Sequence, residues 1–337
     1  MHLTLFIPEL IWPEPGDSQT LGELQLPGLD WFLGRANIER LPPRPLEASL
    51  TACFDLPEAP CAPLRLLGEG HSEARKGHWL CADPVHLRFH HERIVLADAS
   101  AFELDLNEAH DLVTALNCEF SDIGHFHVGN ARRWYLKLHE AVDHPAQPLS
   151  MVAGRRVDGG EPGSLPLTRL LNEIQMYLHD HPVNTARQVA GKPAINSVWL
   201  WGGGTLPAEP SAPAFTSVFT DEPLASGLAL ATRIPGSALV DALGELPPAA
   251  GARPLVVLNG LLQPVLYENA LSWRDTLADI DAHWLLPAKN ALGRGVDRIT
   301  LIAPTIYGEI RCTVSPGAQW TFWKRRQSLQ AFAQTLA

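Results

Sequence analysis

Cysteine is scarce in this sequence, and its five residues are far apart. Cys53, Cys61, Cys81, Cys118 and Cys312 are odd in number and include no C-x-x-C pair. This spacing lacks the pattern of a cysteine metal site, and it does not indicate a disulfide framework. We therefore expect reduced thiols and a cytoplasmic location.

Basic residues are also fewer than acidic ones. The chain has 26 Lys and Arg against 37 Asp and Glu, which gives a net charge of −11. This balance excludes a globally basic nucleic-acid binder, although a local basic patch could be hidden in the average. We expect no nucleic-acid partner.

Long apolar runs are missing as well. The first twelve residues carry no Lys or Arg, and the chain turns proline-rich and acidic at residues 13–17. This segment is too short and wrongly flanked for a signal peptide or a membrane span. It predicts a buried strand over residues 3–7 instead, and we expect no membrane partner.

Hydrophobic periodicity predicts alternating helices and strands along most of the chain. We expect helices at 27–34, 46–54, 106–120, 167–179, 224–231 and 273–292, and strands at 85–89, 93–96, 125–128, 134–138, 197–201, 255–258 and 299–303. Residues 320–333 are predicted to form a closing helix whose tryptophans pack inside the protein. Three prolines between 207 and 213 predict a linker.

The most informative stretch is residues 184–204, N-T-A-R-Q-V-A-G-K-P-A-I-N-S-V-W-L-W-G-G-G. Its apolar run, residues 197–201, is typical of a buried strand, and Gly202, Gly203 and Gly204 follow it. Consecutive glycines allow positive φ, or the close approach of an anion or another chain segment. The stretch resembles a signature of the archaeal-type, cofactor-independent phosphoglycerate mutases of the alkaline phosphatase superfamily.

Further segments line up with this family in the same order. They are R-W-Y-L at 133–136, L-L-N-E-I at 170–174, H-P-V-N-T-A-R at 181–187 and the strand and helix at 218–230. The resemblance implies an α/β fold with an alkaline phosphatase-like core sheet, helices on both of its faces, and an inserted smaller α+β domain. The core would comprise residues 1–84 and 205–337, and the insert with its connecting helix residues 85–204.

The resemblance also implies a site that this sequence does not match. The family holds two divalent metals with aspartates and histidines, and a serine carries the phosphoryl group. At the corresponding positions this chain has Glu9, residues 43–45 (Pro-Arg-Pro) with Ser49 nearby, Asn259, and residues 304–305 (Pro-Thr). Neutral groups are poor ligands for a dinuclear cation site. We therefore predict no metal site, with Glu9 as the single weak catalytic candidate.

The family-like segments also contain candidate anion-binding residues. Arg133 and Arg187 could bind a carboxylate or phosphate bidentately, and Gly202, Gly203 and Gly204 could add backbone N–H groups. Alternatively, these arginines pair with the protein's own carboxylates, and both interpretations stay open. His125 and His127 share one strand face, but we interpret them as surface or hydrogen-bonded histidines.

Two functions follow from these observations. In the first, the chain is a catalytically degenerate phosphoglycerate mutase-like protein, that is, a pseudoenzyme. It would bind a small phosphorylated or carboxylate metabolite, or a protein partner, in the former active-site cleft. In the second, the chain is an active metal-dependent phosphotransferase, a 2,3-bisphosphoglycerate-independent phosphoglycerate mutase that uses Mn²⁺, Mg²⁺ or Zn²⁺ with altered ligands.

Overall fold

The structure is a computed structural model that divides into two compact units. One comprises Met1–Glu58 and Pro210–Ala337, and the other comprises Ala59–Glu209. The structure describes residues 1–56, 60–90, 93–142, 147–154, 156–157, 165–206, 214–247, 251–321 and 323–336. The predicted linker at 207–213 lies outside the described residues.

The strands and helices are numbered in chain order. The strands are β1 His2–Phe6, β2 Asn37–Leu41, β3 His78–His90, β4 Arg93–Asp98, β5 Gly124–Asn130, β6 Arg133–Leu138, β7 Arg156–Val157, β8 Ser197–Gly204, β9 Ser217–Phe219, β10 Gly236–Ser237, β11 Pro254–Val257, β12 Arg298–Thr305 and β13 Gly308–Val314. The α-helices are α1 Ser18–Leu21, α2 Pro27–Arg35, α3 Leu46–Ala52, α4 Cys61–Gly68, α5 Leu106–Glu119, α6 Leu149–Val152, α7 Leu165–His179, α8 Pro182–Val189, α9 Pro223–Ala231, α10 Leu262–Leu266, α11 Ala270–Ile280, α12 Leu286–Ala291 and α13 Leu329–Ala333.

The first unit is built on a seven-stranded sheet in the order β10-β9-β11-β1-β12-β13-β2. The strand β1 pairs in parallel with β11 on one side and with β12 on the other. Strands buried on both faces are nearly continuous in apolar residues, as in parallel sheets, and all four residues of β11 are buried. The α/β fold class, with a sheet formed from both terminal regions, is confirmed.

At one end of this sheet, β13 runs antiparallel to both of its neighbours, β12 and β2. β12 turns back into β13, which pairs with β2, and the register places Pro304 opposite Glu309. The sequence prediction missed β2 and β13. This hairpin brings Glu309 to the edge where the parallel strands end.

The second unit contains a six-stranded antiparallel sheet. The long strand β3 pairs with β4, β6 and β8, and β5 extends the sheet beyond β6. The apolar stripes of α5 and α7 pack into one core with Trp134, Phe126 and Leu200. This unit begins near residue 59, because α4 and the first half of β3 pack within it, and the predicted insert of residues 85–204 lies inside it.

The predicted closing helix at 320–333 is wrong. A 3₁₀ helix, Pro316–Trp320, ends where that helix was expected to begin, and of the residues described beyond it α13 alone is helical. The prediction that its tryptophans pack inside fails too, since Trp320 and Trp323 are 73% and 70% exposed. Among the described residues no helix is long and apolar enough to cross a membrane.

Candidate functional site

Glu9 lies where β1 ends, beside the end of β12. Its backbone N–H donates to the carbonyl of Pro304 at 2.9 Å, and its own carbonyl accepts from the indole of Trp273 at 3.0 Å. Its φ of +56° is in the left-handed region, and its side chain is buried. The carboxyl ends of parallel strands are the usual place for ligand sites in open α/β sheets, so this edge is the first place to look for function.

The neighbouring strand ends carry neutral side chains that already have protein partners. Asn259, after β11, donates to Glu222 Oε2 at 2.8 Å, while the hydroxyl of Thr305 donates to the carbonyl of Gly308 at 2.9 Å. In the part of the chain that the structure describes, no three His, Cys, Asp or Glu side chains come together as metal ligands. An amide and a hydroxyl committed to such bonds do not fit the ligand set of two divalent cations.

A cluster of Arg44, Glu309 and Arg311 lies at the same edge. The Glu309 side chain is fully buried, and Arg44 contacts it through Nε at 3.1 Å and Nη2 at 3.3 Å. Arg311 Nε donates to Glu309 Oε1 at 2.5 Å. The side chains of Arg44 and Arg311 are 30% and 33% exposed, so both cations face solvent while the anion between them does not.

This arrangement leaves unused positive charge in an acidic protein. Two guanidinium groups share one carboxylate, and the two Nη atoms of Arg311 make no hydrogen bond to a described residue. Guanidinium N–H groups bind carboxylate and phosphate oxygens in a planar fork. The cluster can therefore accept an oxyanion from solvent.

Two side chains near this cluster are candidate nucleophiles, Cys53 and Ser49. Burial raises the pKa of the Cys53 thiol to about 12, and the negative charge of Glu309 is the second largest cause of this rise. A thiol with that pKa is protonated at neutral pH, and the thiolate is the reactive form. Ser49, the hydroxyl closest to the expected nucleophile position, is fully buried.

The predicted anion-binding arginines bind groups of the protein itself. Arg187 is 1% exposed and donates to Glu108 Oε2 at 2.6 Å, as well as to the carbonyls of Glu103 and Pro193. Arg133 pairs with Glu69 through Nε. These contacts correspond to the alternative of pairing with the protein's own carboxylates, and a role in ligand binding stays a prediction.

The three glycines after the signature strand lie where β8 packs closely against its neighbours. A Cβ at Gly202 would lie 2.9 Å from Cys61 Cβ, one at Gly203 would lie 2.5 Å from Leu80 Cδ2, and one at Gly204 would lie 2.5 Å from Pro60 Cβ. Gly202 and Gly204 also have φ of +64° and +150°. Positive φ and close packing against the start of α4 account for Gly202 and Gly204, whereas the contact at Gly203 is with the flexible end of a leucine side chain.

The tryptophan of the same signature belongs to a buried polar network. Trp201 Nε1 donates a hydrogen bond to Asp83 Oδ2 at 2.8 Å. The same carboxylate accepts hydrogen bonds from both terminal nitrogens of Arg65, at 2.9 and 2.5 Å. Arg65 Nε donates to the hydroxyl of Tyr135 at 3.0 Å. A buried ion pair with this many hydrogen bonds fixes the position of α4 on the sheet.

His125 and His127 form a ring pair on β5. Their centroids are 4.7 Å apart, and His127 also lies 5.0 Å from the Trp79 ring. Burial lowers the pKa of His127 to about 4, and the charge of His125 adds to this.

The sequence prediction missed Arg44, Glu309 and Arg311 as a group. Two local signals were present: proline on both sides of Arg44, and the i, i+2 spacing of Glu309 and Arg311, which puts both on one face of a strand. The pairing itself joins residues 265 positions apart, so no local pattern could reveal it.

Comparisons with known proteins place this chain near one family. No family model matches it. It is 30% identical over 146 residues to the 2,3-bisphosphoglycerate-independent phosphoglycerate mutase of Methanosarcina barkeri, covering 40% of this chain and 36% of that protein. It is 28% identical over 123 residues to the corresponding mutase 2 of Methanothermobacter thermautotrophicus, covering 35% and 30%. The chain thus matches about a third of the length of these relatives.

The fold has a counterpart among solved structures. A protein from Pyrococcus horikoshii superposes with a TM-score of 0.55 at 15% identity, over 98% of this chain and 91% of that one. This likeness supports the fold, and the sequence matches confirm the resemblance to phosphoglycerate mutases.

Proposed function

We propose that this phosphoglycerate mutase-like chain is catalytically degenerate and binds a small phosphate- or carboxylate-bearing metabolite at Arg44 and Arg311. The observation that carries the proposal is the pair of half-buried guanidinium groups held by one buried carboxylate at the carboxyl edge of the sheet. Arg133 and Arg187, the earlier candidates, already bind carboxylates of the protein.

Each residue of the cluster has a distinct part in binding. Glu309 fixes the two guanidinium groups and offsets their mutual repulsion, while Pro43 and Pro45 restrict the backbone on both sides of Arg44. The free N–H groups of Arg311 and the exposed part of Arg44 then bind the oxyanion. Because the arginines are positioned in advance, little side-chain entropy is lost on binding.

The groups at this edge do not support phosphoryl transfer. Transfer needs a positioned nucleophile and concentrated positive charge on the transferring oxygens. Cys53 is protonated, Ser49 is buried, and Asn259 and Thr305 are hydrogen-bonded within the protein. Glu9 is the remaining carboxylate of the expected ligand set.

Isothermal titration calorimetry with 3-phosphoglycerate and with inorganic phosphate tests the binding proposal. We expect Arg44→Gln and Arg311→Gln each to weaken binding by about tenfold or more, since a charged hydrogen bond contributes about 1.5–3 kcal/mol. Arg311→Lys should retain part of the affinity. The control is Arg298→Gln, an exposed arginine at the opposite end of β12.

Two outcomes would contradict the proposal that Arg44 and Arg311 form a binding site. The wild-type protein could bind neither anion, or the Arg44 and Arg311 variants could bind as tightly as Arg298→Gln. Urea unfolding of each variant separates lost binding from lost folding, because replacing either arginine leaves Glu309 with fewer partners.

The second candidate function is the active mutase, which the similarity to the archaeal enzymes favours. Mutase assays with added Mn²⁺, Mg²⁺ or Zn²⁺ distinguish it from the degenerate protein. Metal-dependent turnover that Glu9→Ala abolishes would establish the active enzyme. Absence of turnover with all three metals would support degeneracy.

A further inference from the structure

Two tryptophans differ from the other eight in the chain. Trp199 is partly buried and seven more are buried, whereas Trp320 and Trp323 are 73% and 70% exposed. The residues that follow, Lys324, Arg325 and Arg326, are exposed and basic. We call residues 320 and 323–326 the indole–basic loop. Exposed apolar surface rimmed by polar or charged residues marks protein or membrane interaction sites.

The loop is fixed to the first unit on both sides. Before it, Gln319 Nε2 donates to the carbonyl of Leu292 at 2.7 Å. After it, the backbone of Gln327 donates to the carbonyl of Asp30 at 3.2 Å. Gly34 leaves room for the loop backbone, since a Cβ there would lie 2.3 Å from the carbonyl oxygen of Arg325. The exposed indoles are therefore carried by an anchored segment.

We propose that the indole–basic loop is a peripheral contact for an anionic lipid surface. An indole has an apolar ring and one N–H donor, and it partitions to the boundary between headgroups and acyl chains. Lysine and arginine next to it attract anionic headgroups. The two tryptophans supply an apolar signal and the three cations an electrostatic one, and stable membrane attachment generally takes two such signals.

The charge distribution favours a planar lipid surface over a nucleic-acid strand. A single strand needs a basic groove that follows its backbone for several nucleotides. Here three adjacent residues carry the cations, in a chain whose net charge is −11. A loop can touch a membrane at one point, and the acidic remainder of the protein need not approach it. Such a contact needs no membrane-spanning helix, and it departs from the sequence-based expectation of no membrane partner.

Vesicle co-sedimentation of the chain of residues 1–337 tests this proposal. We expect binding to vesicles of phosphatidylcholine mixed with phosphatidylglycerol, little binding to phosphatidylcholine alone, and weakening by added salt. The triple variant Lys324→Gln, Arg325→Gln, Arg326→Gln should bind about a hundredfold more weakly, because each cation near an anionic surface contributes about fivefold. The double variant Trp320→Ala, Trp323→Ala should also lose most binding.

The matched control is Met176→Ala, Leu271→Ala, which removes two other exposed apolar side chains. It should bind as the wild type does, and all variants should unfold at the same urea concentration. Failure of the wild type to bind the mixed vesicles, or full binding by both loop variants, would overturn the proposal. So would loop-dependent binding of a fluorescent single-stranded oligonucleotide without vesicle binding. Loop-dependent dimerisation in light scattering, without vesicle binding, would assign the loop to a second copy of the chain.

Discussion

At the scale of single residues, His127 is expected to make stability depend on pH. Its ring lies between His125 and Trp79, and His71, Glu73 and Lys137 also act on it electrostatically. Its pKa is about 4 in the folded protein and near 6.5 in the unfolded chain. Between these values the unfolded chain binds more protons, so stability should fall as the pH drops from about 6.5 to about 4.

Replacing this histidine should remove that contribution. In His127→Gln, the free energy of unfolding in urea should change less between pH 7 and pH 4.5 than it does in the wild type. His110→Gln, an exposed histidine on α5, is the control and should keep the wild-type slope. Equal slopes for His127→Gln and the wild type would refute the assignment.

The residue scale also shows what the sequence could and could not predict. Glu9, Asn259 and Thr305 were expected at the strand ends, because the ends of buried runs are visible in the sequence, and the structure places them there. The pairing of Arg44 with Glu309 depends on tertiary structure and was not foreseen. The same holds for the carboxylate partners of Arg133 and Arg187.

At the scale of elements, the helix α2 has an unusual N-terminus. Its N-cap residue Leu26 provides no side-chain acceptor, and Pro27 occupies the first turn. The buried carboxylate of Asp281 accepts from the backbone N–H groups of Gly28 at 3.1 Å and Leu29 at 2.6 Å. A capping group from a distant element thus replaces the usual local cap.

Removing this distant cap should destabilise the protein. Asp281→Ala leaves two buried N–H groups without an acceptor, which should lower the free energy of unfolding by about 1–3 kcal/mol. Asp281→Asn keeps one acceptor oxygen and should cost less. Asp275→Ala, at an exposed position on α11, should leave the urea midpoint unchanged. A wild-type midpoint for Asp281→Ala would show that water replaces the cap.

Periodicity predicted most helices and buried strands but not the irregular features between them. The predicted helix at 273–292 is confirmed, yet it contains a π-helical turn, Asp281–Leu285, that positions the cap of α2. A one-residue widening of the helix leaves no mark on the apolar pattern. The prediction of a closing helix at 320–333 is wrong because large apolar residues in a sequence do not show whether other parts of the protein bury them.

At the scale of the whole molecule, each unit has its own hydrophobic core. The core of the second unit gathers side chains from α5, α7 and the strands of the antiparallel sheet. This unit is one continuous stretch of chain, Ala59–Glu209. A continuous segment with a separate core is the usual condition for independent folding.

We therefore expect the fragment 59–209 to fold alone, and the fragment 85–204 to remain unfolded. The shorter fragment lacks residues 78–84 of β3, which pair with both β6 and β8. It also lacks α4, whose Arg65 binds Asp83 in the longer fragment. Without these residues β6 and β8 have no strand between them, and their backbone hydrogen bonds cannot form. Thermal melting by circular dichroism and the dispersion of a ¹H–¹⁵N spectrum would compare the two. A cooperative melt from the shorter fragment would show that the folding boundary lies at 85.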